Sequence, residues 1–148
     1  MKLGLKGREL IQGFEKLRLE SYPDSGGVWT IGWGTTTLNG APVTKGMVIN
    51  KLVADALFDG FVQDVIDHIE RLVKTPLTQN QLDALVSFTY NVGKNGFAKS
   101  SLLTTIKAKL LVNEDLFTRW NKGRVNGVLV ELPGLTKRRK AEYKLFIS

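Results

Sequence analysis

A mainly helical α+β fold, with a small sheet near the N-terminus and a long connecting helix behind it, is what this 148-residue chain predicts. Three observations carry that prediction. Apolar residues recur every three or four positions over residues 10–17 and 50–73, the rhythm of helices with one buried face. Between those stretches, residues 20–43 switch to glycines separated by β-branched and aromatic residues, the pattern of short strands and turns. The chain has no cysteine, so no disulfide or thiolate-bound metal contributes, and packing alone must hold it together.

Taken in order, Leu10, Ile11, Phe14 and Leu17 mark a first helix that carries Glu15 close to its end. Val28, Trp29, Thr30, Ile31 and Trp33 then read as strand, and Asn39-Gly40 as a hairpin turn. Asn50 caps the long helix and Pro76 bars its continuation; its expected stripe is Val53, Leu57, Phe61, Val65, Ile69 and Leu72. Thr78-Gln79-Asn80-Gln81 is a capping box opening the next helix, with Leu82, Leu85 and Val86 buried and with Gly93 and Gly96 at its end. Further helices are expected from Ser100 or Ser101 and from Asn113. Residues 123–133 read as a loop with a small hairpin at Asn126-Gly127, and a last helix is expected over 135–146. One domain is expected. It comprises a small lobe of about residues 15–50 and a helical lobe of about residues 75–148 plus the first helix, with the long helix as spine.

The formal net charge of +7 favours polyanions: nucleic acid, an anionic membrane surface or an acidic wall polymer. No helix-turn-helix or base-stacking motif accompanies the charge, so nucleic acid is not the expected partner. The N-terminus lacks the roughly 7–15 apolar residues of a signal peptide, and no stretch approaches the roughly 20 of a membrane span. The expected place of synthesis is the cytosol, without stable membrane insertion. A substrate outside would need a separate factor to let the protein through.

The densest chemistry lies in residues 14–34. A lone Glu at a helix end is ordinarily solvated, but Phe14, Leu17 and the following Gly-rich turn predict partial burial of Glu15. Desolvation keeps a carboxyl protonated near neutral pH, as a general acid requires. Asp24, in Pro23-Asp24-Ser25-Gly26-Gly27, could be a turn-former, and Thr30 a strand residue chosen for its β-branch. Together the acid, the second carboxylate and the hydroxyl make the set that glycosidic cleavage needs: a proton donor, with polar groups opposite to handle water or positive charge.

Phe14-Glu15-Lys16-Leu17-Arg18-Leu19, Tyr22-Pro23-Asp24-Ser25-Gly26-Gly27 and Thr30-Ile31-Gly32-Trp33-Gly34-Thr35-Thr36 resemble the phage lysozymes, or endolysins, of glycoside hydrolase family 24, which include the T-even phage lysozyme. Leu82-Asp83-Ala84-Leu85-Val86-Ser87-Phe88 leading into Tyr90-Asn91-Val92-Gly93, Phe117 with Trp120, and Leu132-Pro133-Gly134-Leu135-Thr136-Lys137-Arg138-Arg139-Lys140-Ala141-Glu142 extend the likeness over about residues 8–147. The resemblance implies a lysozyme-like two-lobe fold and a muramidase that cleaves the β-1,4 bond between N-acetylmuramic acid and N-acetylglucosamine of peptidoglycan, with inversion. Glu15, Asp24 and Thr30 would be catalytic. Glu15 would give the proton; Asp24 and Thr30 would position water, or Asp24 would stabilise the oxocarbenium-like transition state. Gly34, Thr36, Tyr90 and Arg138 would meet substrate, with Arg138 or Arg139 approaching Glu15. Neither metal nor cofactor is implied. A monomer is expected, in the host cytoplasm, acting on the wall for lysis and phage release once a holin-type protein has permeabilised the membrane.

Two departures stand out. The family usually has Gly where this chain has Lys16, and a cation there would favour ionised Glu15 unless it turns to solvent. It also usually has His where this chain has Thr35. The single histidine, His68, is expected at the surface and Trp120 in the core. A non-catalytic wall-binding module and a lytic transglycosylase are the nearest rival readings.

Overall fold

The computed structural model describes residues 1–148. The element order is α1 (Leu5–Glu15), β1 (Arg18–Pro23), β2 (Trp29–Gly32), β3 (Thr37–Leu38), β4 (Ala41–Pro42), α2 (Lys51–Leu72), α3 (Gln79–Val92), α4 (Lys94–Ala98), α5 (Ser101–Lys107), α6 (Asp115–Thr118), β5 (Lys122–Val125), β6 (Val128–Glu131) and α7 (Pro133–Phe146). The strands form three separate antiparallel pairs, β1–β2, β3–β4 and β5–β6. The β content near the N-terminus is therefore two hairpins rather than one continuous sheet. Asn39-Gly40 and Asn126-Gly127 turn the second and third pairs, all four residues lying at positive φ. That is the backbone a two-residue turn needs to match strand twist.

Helix α3 is the centre of the molecule. Leu82 to Thr89 are buried without a break, because α1, α2, α4 and α7 cover it on all sides. Its start is the capping box expected from sequence: Thr78 Oγ1 accepts from the Gln81 N–H, and Gln81 Oε1 accepts from the Thr78 N–H. Asp83, also on α3, reaches across to α1 and accepts from the Gly4 and Gly7 N–H groups at 2.9 and 3.1 Å. These are N–H groups that the start of a helix leaves without a partner of its own. A Cβ at Gly7 would stand 2.7 Å from Asp83 Cγ, so the glycine is what lets α1 come this close.

Several expectations need correction. The buried face of α2 is Ala54, Phe58, Val62, Val65, Ile66 and Ile69. Val53 and Phe61 are 41% and 43% exposed; the first half of α2 has apolar residues on two faces, and only one meets the core. Gly96 does not end α3 but lies within α4, where a Cβ would come 3.3 Å from the Trp120 ring. Helix α7 starts at Pro133 rather than Leu135, since proline suits a first helical turn whose N–H groups go unused. His68 is half-buried and pairs with the Lys94 carbonyl oxygen at 3.1 Å. Trp120 packs edge-on against Phe88 at the margin of the core.

Candidate active site

Helix α1 stops at Glu15 because Lys16 takes up φ 57°, ψ 142°, outside the helical region, and the chain turns into β1. Glu15 is left at the helix end with its side chain 18% exposed. Arg138 of α7 donates from Nη1 to Glu15 Oε2 at 2.7 Å. The other oxygen, Oε1, lies against Gly34, where a Cβ would stand only 2.7 Å away. Gly34 is at φ +94°, so both the backbone and the space for Glu15 require glycine there.

Across from Glu15, the turn between β1 and β2 holds Asp24 by local bonds. Asp24 Oδ1 accepts from the Gly26 and Val28 N–H groups at 2.9 and 2.8 Å, an Asx arrangement that fixes the carboxylate. Thr30 pairs directly with Tyr22 across β1–β2, so their side chains share one face. The buried Thr30 hydroxyl donates to the Val28 carbonyl oxygen at 2.9 Å, and what it offers a ligand is therefore a lone pair.

A cleft of about 570 Å³ joins these residues: Glu15, Asp24, Thr30, Gly34, Thr36 and Tyr90 all line it. Arg138 does not. It lies behind Glu15, 4% exposed, and supports the carboxylate from the protein side; the same burial removes Arg138 and Arg139 from the solvated basic face that Lys137 and Lys140 keep. Tyr90 donates its hydroxyl to the Trp33 carbonyl oxygen at 2.5 Å and stacks edge-on with Phe61, presenting ring rather than hydroxyl. Burial pushes its hydroxyl above the ordinary phenol range, and the Glu15 carboxylate adds to this while Arg138 opposes.

The phage lysozyme family model matches residues 12–142. The chain belongs to the phage lysozyme family. It is 39% identical to an endolysin of Acyrthosiphon pisum secondary endosymbiont phage 1 over 100% of this chain and 99% of that protein. The endolysin of Salmonella phage P22 is 38% identical, again over 100% and 99%. Among solved structures, an endolysin from Escherichia coli O157:H7 phage FAHEc1 superposes with TM-score 0.91 at 37% identity, covering 100% of this chain and 94% of that one. The muramidase domain of SpmX from Asticaccaulis excentricus gives 0.86 at 34% identity, covering 99% and 98%. The lysozyme fold is thus shared along the whole chain.

Sequence reasoning missed part of this lysozyme's cleft. Tyr22 lines it; burial raises its hydroxyl, with Glu15 pushing the same way, Arg18 opposing and Asp24 adding a further push. It stays neutral in the cleft. Its place two residues before Asp24 in Tyr22-Pro23-Asp24 was the available signal. Phe61, Asp64 and Asn91 also line the cleft. Phe61 has the spacing of a buried stripe, and nothing local marks Asn91, within Tyr90-Asn91-Val92-Gly93, as a cleft residue. Behind the cleft, Glu142 accepts from Arg138 Nε at 3.3 Å, Arg139 Nε at 2.6 Å and Ser87 Oγ at 2.5 Å. Arg139 in turn donates to Asn91 Oδ1 at 2.9 Å. Such buried ions are tolerable because each has an opposite charge and hydrogen bonds.

Proposed function

We propose that this phage lysozyme is an endolysin, a muramidase that hydrolyses the β-1,4 bond between N-acetylmuramic acid and N-acetylglucosamine in bacterial peptidoglycan. The observation that carries the reading is the meeting of Glu15 and Asp24 in one cleft, each with one oxygen fixed by protein donors and one left for substrate. Glu15, steadied through Oε2, gives the proton on Oε1 to the glycosidic oxygen. Asp24 takes a proton from water through Oδ2, while Thr30 accepts a hydrogen bond from the water's other O–H, which stays on the attacking oxygen, and so aims its lone pair at the anomeric carbon. Attack from the face opposite the leaving group inverts the configuration. Tyr22 and Tyr90 are the walls on which sugar rings rest. The small lobe, about residues 15–50, and the helical lobe then flank the substrate.

The relatives' printed names, endolysin and muramidase, support this class of activity. The charge of +7 suits the anionic wall. No helix is long and apolar enough to cross a membrane. In this reading a monomer waits in the host cytoplasm for a holin-type protein to open the way to the wall. Expression with and without such a pore-former tests this; prompt lysis without it would refute the dependence.

Mass spectrometry of digested purified peptidoglycan tests the chemistry. Wild type should give reducing N-acetylmuramic acid ends, with the α-anomer first by NMR, and Glu15→Gln should give none. Anhydro ends would point to a transglycosylase, and binding without cleavage to a wall-binding module.

A further inference from the structure

Glu15, Arg138, Glu142 and Arg139 form a chain of alternating charge that runs from the cleft into the core and returns to the cleft at Asn91. Glu142 and Arg139 are 0% exposed and Arg138 4%. With Glu15 ionised the four charges cancel. When Glu15 takes a proton the group becomes +1, and without the Glu142 charge it would be +2. Because Arg138, Arg139 and Glu142 are buried, solvent screens that difference less than it would at the surface.

We infer that Glu142 is a positioning residue for the reaction: by neutralising one of two buried guanidiniums, and by orienting Arg138 at the same time, it lets Glu15 hold the proton it must give away. Glu142 never touches substrate. One guanidinium separates it from Glu15, because Arg138 gives Nη1 to Glu15 and Nε to Glu142. Ser87 completes the arrangement, donating its hydroxyl to Glu142 and accepting Arg138 Nη2 on its carbonyl at 3.1 Å. The other charged groups around the cleft, among them Asp24, Asp64 and Arg18, are the same in every variant compared below. Tyr22 from β1 and Tyr90 from α3 stay neutral across the working range, Lys16 is exposed, and Asp24 is held by its own turn.

This rests on Glu15 being the acid, and the test separates the two. Initial rates on solubilised peptidoglycan chains at low concentration, followed against pH, report the protonation of the free enzyme. The alkaline limb marks loss of the proton from the acid. Glu142→Gln should move that limb about one pH unit lower, as expected for removing a negative charge at this separation. Arg139→Gln should move it by a similar amount higher, so the proposal remains testable if Glu142→Gln fails to fold. Ser87→Ala, which changes a hydrogen bond but no charge, should lower the melting temperature and leave the limb in place. Limbs that coincide with wild type, or that move the same way in both charge variants, would overturn the inference while leaving Glu15 as the acid, provided Glu15→Gln is inactive. An active Glu15→Gln would overturn both.

Discussion

Glu15 and Asp24 face one cleft but are held by different kinds of structure. Glu15 depends on Arg138, 123 positions away in sequence, and through it on Glu142, Ser87 and Arg139, all buried in the packing of α7 against α3. Asp24 depends on two N–H groups no more than four residues away. One carboxylate is placed by tertiary structure and the other by a turn. Disturbing the first should therefore spread into stability, whereas disturbing the second should stay in activity.

The sharpest way to break this contrast is at Arg138. Arg138→Met leaves the Glu142 charge buried with one partner fewer and Glu15 without its clamp. Removing one member of a buried ion pair costs about 3–5 kcal/mol, which denaturant unfolding would read directly. A loss below about 1 kcal/mol, the level of a surface pair, would mean that the network does not couple the acid to the fold.

Asp24→Asn asks the opposite question. The asparagine side-chain oxygen can still accept from Gly26 and Val28, so the turn should persist within about 0.5 kcal/mol. Its amide cannot take a proton from water, and the initial rate on peptidoglycan should fall about a hundredfold or more. Unfolding that tracks the rate would erase the distinction between the two supports.

The same contrast explains what could be read from the chain. The Thr78–Gln81 capping box, the Asn50 cap and both Asn-Gly turns are written within four residues of each other, and their chemistry is local; all three kinds were legible. The grouping of Glu15, Asp24 and Thr30 was legible because the three lie within 16 positions and fold back through one hairpin. Glu142 and Ser87 were not, because 55 positions separate them and neither shows at its own place in the sequence that a partner waits. Phe61 failed differently. Its hydrophobicity was read correctly, but a ring bordering a cleft and a ring in the core have the same spacing along α2.

Gly34→Ala probes the point where the two supports meet. The added Cβ would meet Glu15 Oε1 and must adopt φ +94°, so a loss of about 1–3 kcal/mol is expected, together with a lower rate as Glu15 is displaced. Gly13→Ala, on α1 with nothing within 4 Å of the new atom, should instead stabilise by about 0.5–1 kcal/mol. Equal effects would show that crowding against the acid is not what reserves position 34 for glycine.

A smaller effect than at Gly34 is expected at Lys16, and it returns to the comparison. The turn that holds Asp24 reaches positive φ at Gly27, where no Cβ is strained, but α1 leaves Glu15 through a lysine at φ 57°. Such a backbone costs a residue with a side chain about 1–3 kcal/mol. Glycine relieves this but gives back part of the gain through its freer unfolded chain. Lys16→Gly should thus stabilise by about 1 kcal/mol, since the N–H bond to the Gln12 carbonyl oxygen at 3.1 Å is kept. The Lys16 side chain is exposed, so the rate at neutral pH should change little. A destabilised Lys16→Gly would mean that the long-range clamp on Glu15 tolerates its helix end without strain, and that only the contacts, not the backbone, distinguish the acid's side of the cleft from the turn.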